Sequence, residues 1–295
     1  MKETQTYYGV FFWLTLVTFI VPLFVAYSAF VQVQPTSKPV PNPDASGVDH
    51  DLWDYLIRTY VENGKIDYQA MGRDYLFKVY LNQLASADFD ALETDDEKLA
   101  LYCNAYNAFV AQGVLNHKIQ SSVKEFESDG YGFFDLQEYV LANQTYSLND
   151  IEHRIIRPKF QEPRIHMALV CAANGCPAIR PEAYRGDRLK KQLKDQAQLF
   201  CNNSKHVFFD EQSQQIMVNS ILDWYGSDFD SEGGYLRWIA ERTNDTNLQE
   251  KLLEAASGQI EYGFIDYDWS LNSLGTNQPY QSSKSEAGSG TIPNE

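Results

Sequence analysis

Positions 10–30 (VFFWLTLVTFIVPLFVAYSAF) form one long apolar run, and no charged residue occurs between Glu3 and Lys38. About 20 apolar residues in helix cross a bilayer core, so this run is expected to span. Pro22 would bend it mildly, as membrane helices tolerate, and Trp13 and Tyr27 fall at interfacial depths. Ala26-Tyr27-Ser28 resembles a signal-peptide cleavage site, but the length of the run and the lack of a basic leader favour an uncleaved anchor. Lys2 precedes the run and Lys38 alone follows closely, a bias toward an inside amino terminus. The expectation is a single-pass membrane protein with lipid as one partner and its domain on the extracytoplasmic side.

Beyond this segment the pattern predicts alternating helices and strands. Residues 51–62 carry Leu52, Tyr55, Leu56 and Tyr60 near helical spacing, closed by Gly64, and 73–85 form a second helix. Thr94-Asp95-Asp96-Glu97 is a capping box opening a helix that runs to about His117. Residues 136–141 and 145–147 pair around Asn143-Gln144, and Ser147 caps a helix over 148–157 that Pro158 helps to stop. Alternation over 165–171 reads as a strand, with His166, Ala168 and Val170 on one face. A helix over 187–201, a hairpin of 206–209 with 216–218, helices over 234–242 and 247–256, and a closing strand over 259–267 complete the pattern. The fold class is α+β, with a central antiparallel or mixed sheet and a largely buried central helix; a papain-like arrangement is the analogy considered.

Pro- and Ser-rich sequence at 34–48 marks a linker, drawn as 31–49, and the polar 273–295 segment reads as a disordered tail. The domain is placed at 50–272, after an N-terminal segment over 1–9 and the apolar run. With 44% hydrophobic and 14% aromatic residues the chain can build a core, and its net charge of -16 argues against nucleic-acid partners. Four cysteines without a C-x-x-C pair give no support to a thioredoxin-like or zinc-ribbon site. Neither a metal nor a cofactor is expected.

Polar residues interrupt the apolar segments at a few places. Residues 99–115 are apolar nearly all round, with Asn104 and Asn107 as the main exceptions. Such amides either pin neighbouring backbone or orient a ligand-binding or catalytic group. Glu152 projects from the apolar face of the 148–157 helix, whereas His153 and Arg157 share another side. An inward carboxylate needs partners, and Arg164 and His166 are candidates. Cys176 follows the 165–171 strand in a turn, where it is a nucleophile, a small buried thiol, or half of a disulfide with Cys171. A regular strand would hold His166 and Cys171 roughly 16 Å apart, which hinders a joint site and a zinc site alike.

LALYCNAYNA (99–108), YSLNDIEHRIIRP (146–158), RIHMALVCAANGCPAIRPEAY (164–184), ILDWYGSDF (221–229) and YDWSLN (267–272) occur in the order expected of the DUF547 family, which the chain closely resembles over about 50–272. The residues carrying this likeness include Asn104, Tyr106, Asn107, Glu152, His153, Arg157, Arg164, His166, Cys171, Cys176, Tyr225, Asp228 and Trp269. Tyr102 and Cys103 depart from the usual pattern. The family name records an undefined activity, so the likeness implies shared residues without a reaction.

The leading expectation is a binding module presenting Arg157, Arg164 and His166 to an acidic, peptide, protein or small-molecule ligand. A thiol-dependent hydrolase or transferase is the alternative. Cys176 would be its nucleophile, His166 or His153 its base, Glu152 the orienting group, and Asn104 or Asn107 the assisting donors. A metal-binding domain is the third reading.

Overall fold

The computed structural model describes residues 38–275 apart from Asp129, and its longest helix organises the rest. Helix α4 (Asp95–Asn116) follows α1 (His50–Tyr60), α2 (Tyr68–Arg73) and α3 (Tyr75–Ala85). The predicted capping box opens it: the Glu97 N–H donates to the Thr94 hydroxyl at 3.2 Å, and the Thr94 N–H donates to the Glu97 carboxylate at 2.8 Å. Asp95, Asp96 and Glu97 place negative charge where the helix dipole favours it. Burial on nearly every side, including Asn104 and Asn107, makes α4 the axis of the larger core, as its all-round apolar pattern predicts.

The described β structure comprises three two-stranded ribbons and one three-stranded sheet. The ribbons pair β1 (Val61–Glu62) with β2 (Lys65–Ile66), β3 (Glu127–Ser128) with β4 (Tyr131–Gly132), and β5 (Tyr139–Leu141) with β6 (Gln144–Tyr146). In the sheet, β8 (Gln215–Asn219) pairs antiparallel with β7 (Val207–Asp210) and parallel with β9 (Tyr262–Ile265). The α+β class holds, and the axis of the larger core is a helix rather than the sheet. A second core gathers residues of this sheet with α7 (Tyr235–Ala240) and α8 (Thr246–Ala256), around Trp238, Phe229 and Leu252. Helix α6 (Leu189–Cys201) joins the cores, giving Leu189 and Leu193 to one and Ala197 and Phe200 to the other.

Three expectations need correction. Residues 165–171 are not a strand: Pro163–Met167 is a 3₁₀ turn, opened by Pro163 and capped where the Arg164 N–H donates to Glu162 at 3.1 Å. The Ala168 and Leu169 N–H groups then bond back to the Ile165 carbonyl, so the segment coils locally and the 16 Å separation does not apply. The 148–157 helix contains a π-helical stretch, Asp150–Ile156, and continues through α5 (Arg157–Phe160). Pro158 occupies the first turn of α5, where a missing N–H costs little, so it does not stop the chain; left-handed Gln161 does. The single-pass membrane assignment is also withdrawn, because no helix among the described residues is long and apolar enough to cross a membrane. The 10–30 segment on which it rested lies outside the described residues, as do 1–9 and the tail from 276 onward.

Within the expected linker, the part from Lys38 packs on the domain: Lys38 pairs with Asp74 at 2.9 Å, Val48 is fully buried, and Asp49 caps α1.

Gly113 lies where α4 meets two buried rings; a Cβ there would overlap the Tyr139 hydroxyl and come within 2.9 Å of Phe133. Gly113→Ala is expected to destabilise by about 1–3 kcal/mol through overpacking, despite alanine's better helix propensity, and thermal melting would register the loss. Acid has a separate effect. Burial lowers the pKa of His50 to about 4 and of His206 to about 3, against about 6.5 in the unfolded chain. Only the unfolded state takes these protons as pH falls below 6.5, so the stability they contribute is present above that pH and declines below it. Each is expected to cost about 2 kcal/mol by pH 4.5. Urea unfolding at pH 7.5 and 4.5 tests this; an unchanged midpoint would refute it.

Candidate functional site

The site begins with α4. Asn107, buried in its middle, donates from Nδ2 to the Ala168 carbonyl at 2.9 Å and accepts the Val170 N–H at Oδ1, also 2.9 Å. One turn earlier, Asn104 makes the same pair of bonds to Tyr184, both 2.8 Å. A primary amide carries a donor and an acceptor side by side, so it can serve a loop as a neighbouring strand would. Losing such a buried partner costs about 1–3 kcal/mol. Both asparagines are thus committed to backbone and hold the loop that carries His166, Cys171 and Cys176.

His166, between Ile165 of one core and Met167 of the other, is 3% exposed. Its Nε2 lies 2.8 Å from Asp228 Oδ2. A carboxylate only accepts, so Nε2 carries the hydrogen, and a neutral ring leaves a lone pair on Nδ1. That Nδ1 is buried with no hydrogen-bond partner, and Glu152 Oε1 lies 3.9 Å away. Tyr225 stacks on the imidazole at 3.9 Å between centroids, and the Arg157 guanidinium lies 5.0 Å from the Tyr225 centroid.

Arg157 and Asp228 form a two-pronged pair: Nε and Nη2 each donate at 2.8 Å to separate carboxylate oxygens. Burial alone would raise the Asp228 pKa, but hydrogen bonds from Arg157 and His166 outweigh it and hold the acid well below its ordinary range. Arg157 also meets His153 Nδ1 at 3.0 Å, as expected from their shared helix side, and burial lowers the His153 pKa. Glu152 is 5% exposed. Its sole ion-pair contact among the described residues is the distant His166 nitrogen. Burial, with added hydrogen bonding and charge from Glu152, raises the Tyr106 and Tyr225 phenols far above the usual range. These phenols are donors to the carboxylate but cancel none of its charge.

Cys171 and Cys176 form a disulfide. Its loop is laced to the 267–272 motif: Gly175 N–H bonds the Asp268 carbonyl, Asn174 N–H the Ser270 carbonyl, both 2.8 Å, and Asn272 N–H the Ala172 carbonyl at 3.1 Å. Gly175 permits this approach, since a Cβ there would come within 2.9 Å of the Tyr267 ring. The Tyr267 hydroxyl turns inward, donating to Cys176 Sγ at 3.2 Å and lying 3.0 Å from Cys171 Sγ. Burial raises the Tyr267 pKa, and the Glu152 charge raises it further, which links the disulfide electrostatically to the His166 centre. Trp224, Tyr267 and Trp269, each half-buried, pack at 4.7–5.7 Å between centroids beside this loop.

Glu152, His166, His153 and Arg157 are therefore brought together, with Cys176 joined through Tyr267. Arg164 stands apart, its Nε donating to Glu162 at 2.7 Å. Of the two partners expected for Glu152, only His166 is near. Tyr225, Asp228 and Tyr267 were not among the predicted site residues. Their signal was position: each is a polar-tipped residue inside the ILDWYGSDF or YDWSLN motif. No group of three or more His, Cys, Asp or Glu side chains among the described residues is placed to hold a metal ion. A surface depression of about 520 Å³ lined by Thr59, Tyr60, Asp67 and Leu274 shares no residue with the cluster.

No curated protein and no solved structure matches the chain, so the papain-like analogy gains no support. A family model described as a protein of unknown function, DUF547, matches residues 89–201. That span contains α4, the π-helical turn, the disulfide loop and α6. It is shorter than the 50–272 suggested by the motifs; Asp228 and Tyr267 complete the cluster from outside it. The chain is thus similar to the DUF547 family over residues 89–201.

Proposed function

We propose that this domain is a binding module whose site receives an amino or guanidino group between His166 and Glu152. The observation that carries this reading is a buried pair of atoms, His166 Nδ1 and Glu152 Oε1, 3.9 Å apart, the nitrogen having no hydrogen-bond partner; with a hydrogen on Nε2 alone, both are acceptors. A nitrogen bearing two hydrogens can lie about 2.8 Å from both acceptors. Charge supports the same choice: Arg157 and Asp228 offset one another, and the Glu152 carboxylate is left over. The chain's net charge of -16 favours the approach of a cation.

This reverses the ligand preference expected from the arginines. Both guanidiniums are committed to carboxylates, Arg157 to Asp228 and Arg164 to Glu162, which leaves little for an acidic ligand. The thiol-dependent reading has no free thiolate near the site while Cys171 and Cys176 are joined. The metal-binding reading lacks a set of ligating groups among the described residues.

Calorimetric titration of the full-length protein with methylguanidinium, butylammonium and butyrate tests the proposal. The two cations are expected to bind and butyrate not. Glu152→Gln, which keeps the side-chain shape, is expected to weaken cation binding about tenfold or more, the value of a charge-assisted hydrogen bond. Equal binding of butyrate, absence of cation binding, or cation affinity unchanged in Glu152→Gln would overturn it.

A further inference from the structure

The disulfide loop has features that the binding of a cation does not use. Cys171 and Cys176 belong to a loop whose backbone is held by the 267–272 segment through Asn174, Gly175 and Asn272, and by Asn107 at Val170. These bonds do not depend on the sulfur–sulfur link. The two sulfurs are also unlike one another. Cys171 is partly exposed, whereas Cys176 is 5% exposed. Cys176 Sγ accepts two hydrogen bonds, from the Cys171 N–H at 3.0 Å and from the Tyr267 hydroxyl at 3.2 Å. Cys103 and Cys201 are free and buried.

Thiol–disulfide exchange depends on which sulfur an incoming thiolate reaches and on how well the other sulfur carries the departing negative charge. Here access favours attack at Cys171; the Cys171 N–H donates to Cys176, and the Tyr267 hydroxyl lies within reach of both sulfurs, 3.0 Å from Cys171 Sγ and 3.2 Å from Cys176 Sγ. Hydrogen bonds to a thiolate stabilise the charged form.

We propose that Cys171–Cys176 is a redox-active pair that exchanges with a dithiol, Cys171 taking the attack and Cys176 leaving as a thiolate held by Tyr267 and the Cys171 N–H. One thiol of the dithiol loses its proton to solvent and attacks Cys171 Sγ. The Cys171–Cys176 bond breaks, and its electron pair goes to Cys176. The second thiol of the dithiol, also deprotonated, attacks its own partner sulfur in the mixed disulfide and expels the Cys171 thiolate. The dithiol is oxidised to a disulfide by two electrons, and the protein gains two thiol groups once protons are taken up. The reverse sequence re-forms the Cys171–Cys176 disulfide and reduces an external disulfide to a dithiol by two electrons. The loop stays folded throughout, so the exchange proceeds in the native state.

The test needs no cationic ligand, so its outcome is independent of the His166–Glu152 reading. The full-length protein is equilibrated in graded mixtures of reduced and oxidised dithiothreitol, quenched with acid, alkylated and analysed by mass, with far-ultraviolet circular dichroism in parallel. The pair is expected to open and close with the helical signal unchanged. With oxidised glutathione, Cys176→Ser is expected to form a mixed disulfide at Cys171 at least about tenfold faster than Cys171→Ser forms one at Cys176. Tyr267→Phe is expected to shift the equilibrium toward the disulfide about tenfold, the value of one hydrogen bond to a charged group. Reduction only on unfolding, equal mixed-disulfide rates in the two serine variants, or an equilibrium unmoved by Tyr267→Phe would each overturn the proposal.

Discussion

Asn107 sits on a helix surrounded by apolar side chains, and its amide closes the hydrogen-bonding needs of the chain passing over it at Ala168 and Val170. Without those two bonds the buried segment would leave a carbonyl and an N–H unpaired, at a cost no coil in a core bears lightly. Because the amide meets them, the segment need not join a sheet. It coils as a 3₁₀ turn, sets His166 between the two cores, and releases the following residues into the disulfide loop. Asn104 does the same for Tyr184. The placement of the polar centre is thus a consequence of two polar residues in the helix at the axis of the larger core.

Around that fixed loop, charge is distributed with little slack. Asp228 answers to both Arg157 and His166, and Arg164 answers to Glu162. Glu152 receives phenol hydrogens but only a distant imidazole as counter-charge. A buried carboxylate in this position is costly unless a proton or a cation joins it. On the proposed reading this geometry favours a positive ligand, and the half-buried arginines, each paired with a carboxylate, are poor candidates for an anion. Redox chemistry at the neighbouring disulfide shares Tyr267 with this centre but draws on a different set of atoms.

Helices were legible where one principle dominated. The capping box at Thr94, the all-round apolar pattern of α4 and the β7–β8 hairpin all appear as their residues imply. The Asn143 turn was also legible, displaced by one residue because Ala142 and Asn143 both take left-handed backbone conformations. The 165–171 alternation misled because period two is shared by strands and by short apolar coils, and the arbiter was a side chain 60 residues upstream. The pairing of Cys171 with Cys176 was one of three open readings, and only their fixed loop decides it. Asp228 and Tyr267 escaped notice as site residues because their role comes from long-range packing, which local spacing does not encode. Glu152 and His166, by contrast, were visible as polar residues in apolar surroundings.

In the proposed function, a cationic nitrogen binds in the space between His166 Nδ1 and Glu152. The most direct measurement is a crystal structure of the protein grown with methylguanidinium. The guanidinium is expected between those two acceptors, at hydrogen-bond distance from each, with the Arg157–Asp228 pair intact. A structure in which His166 and Glu152 close directly on one another while the guanidinium lies elsewhere would contradict it.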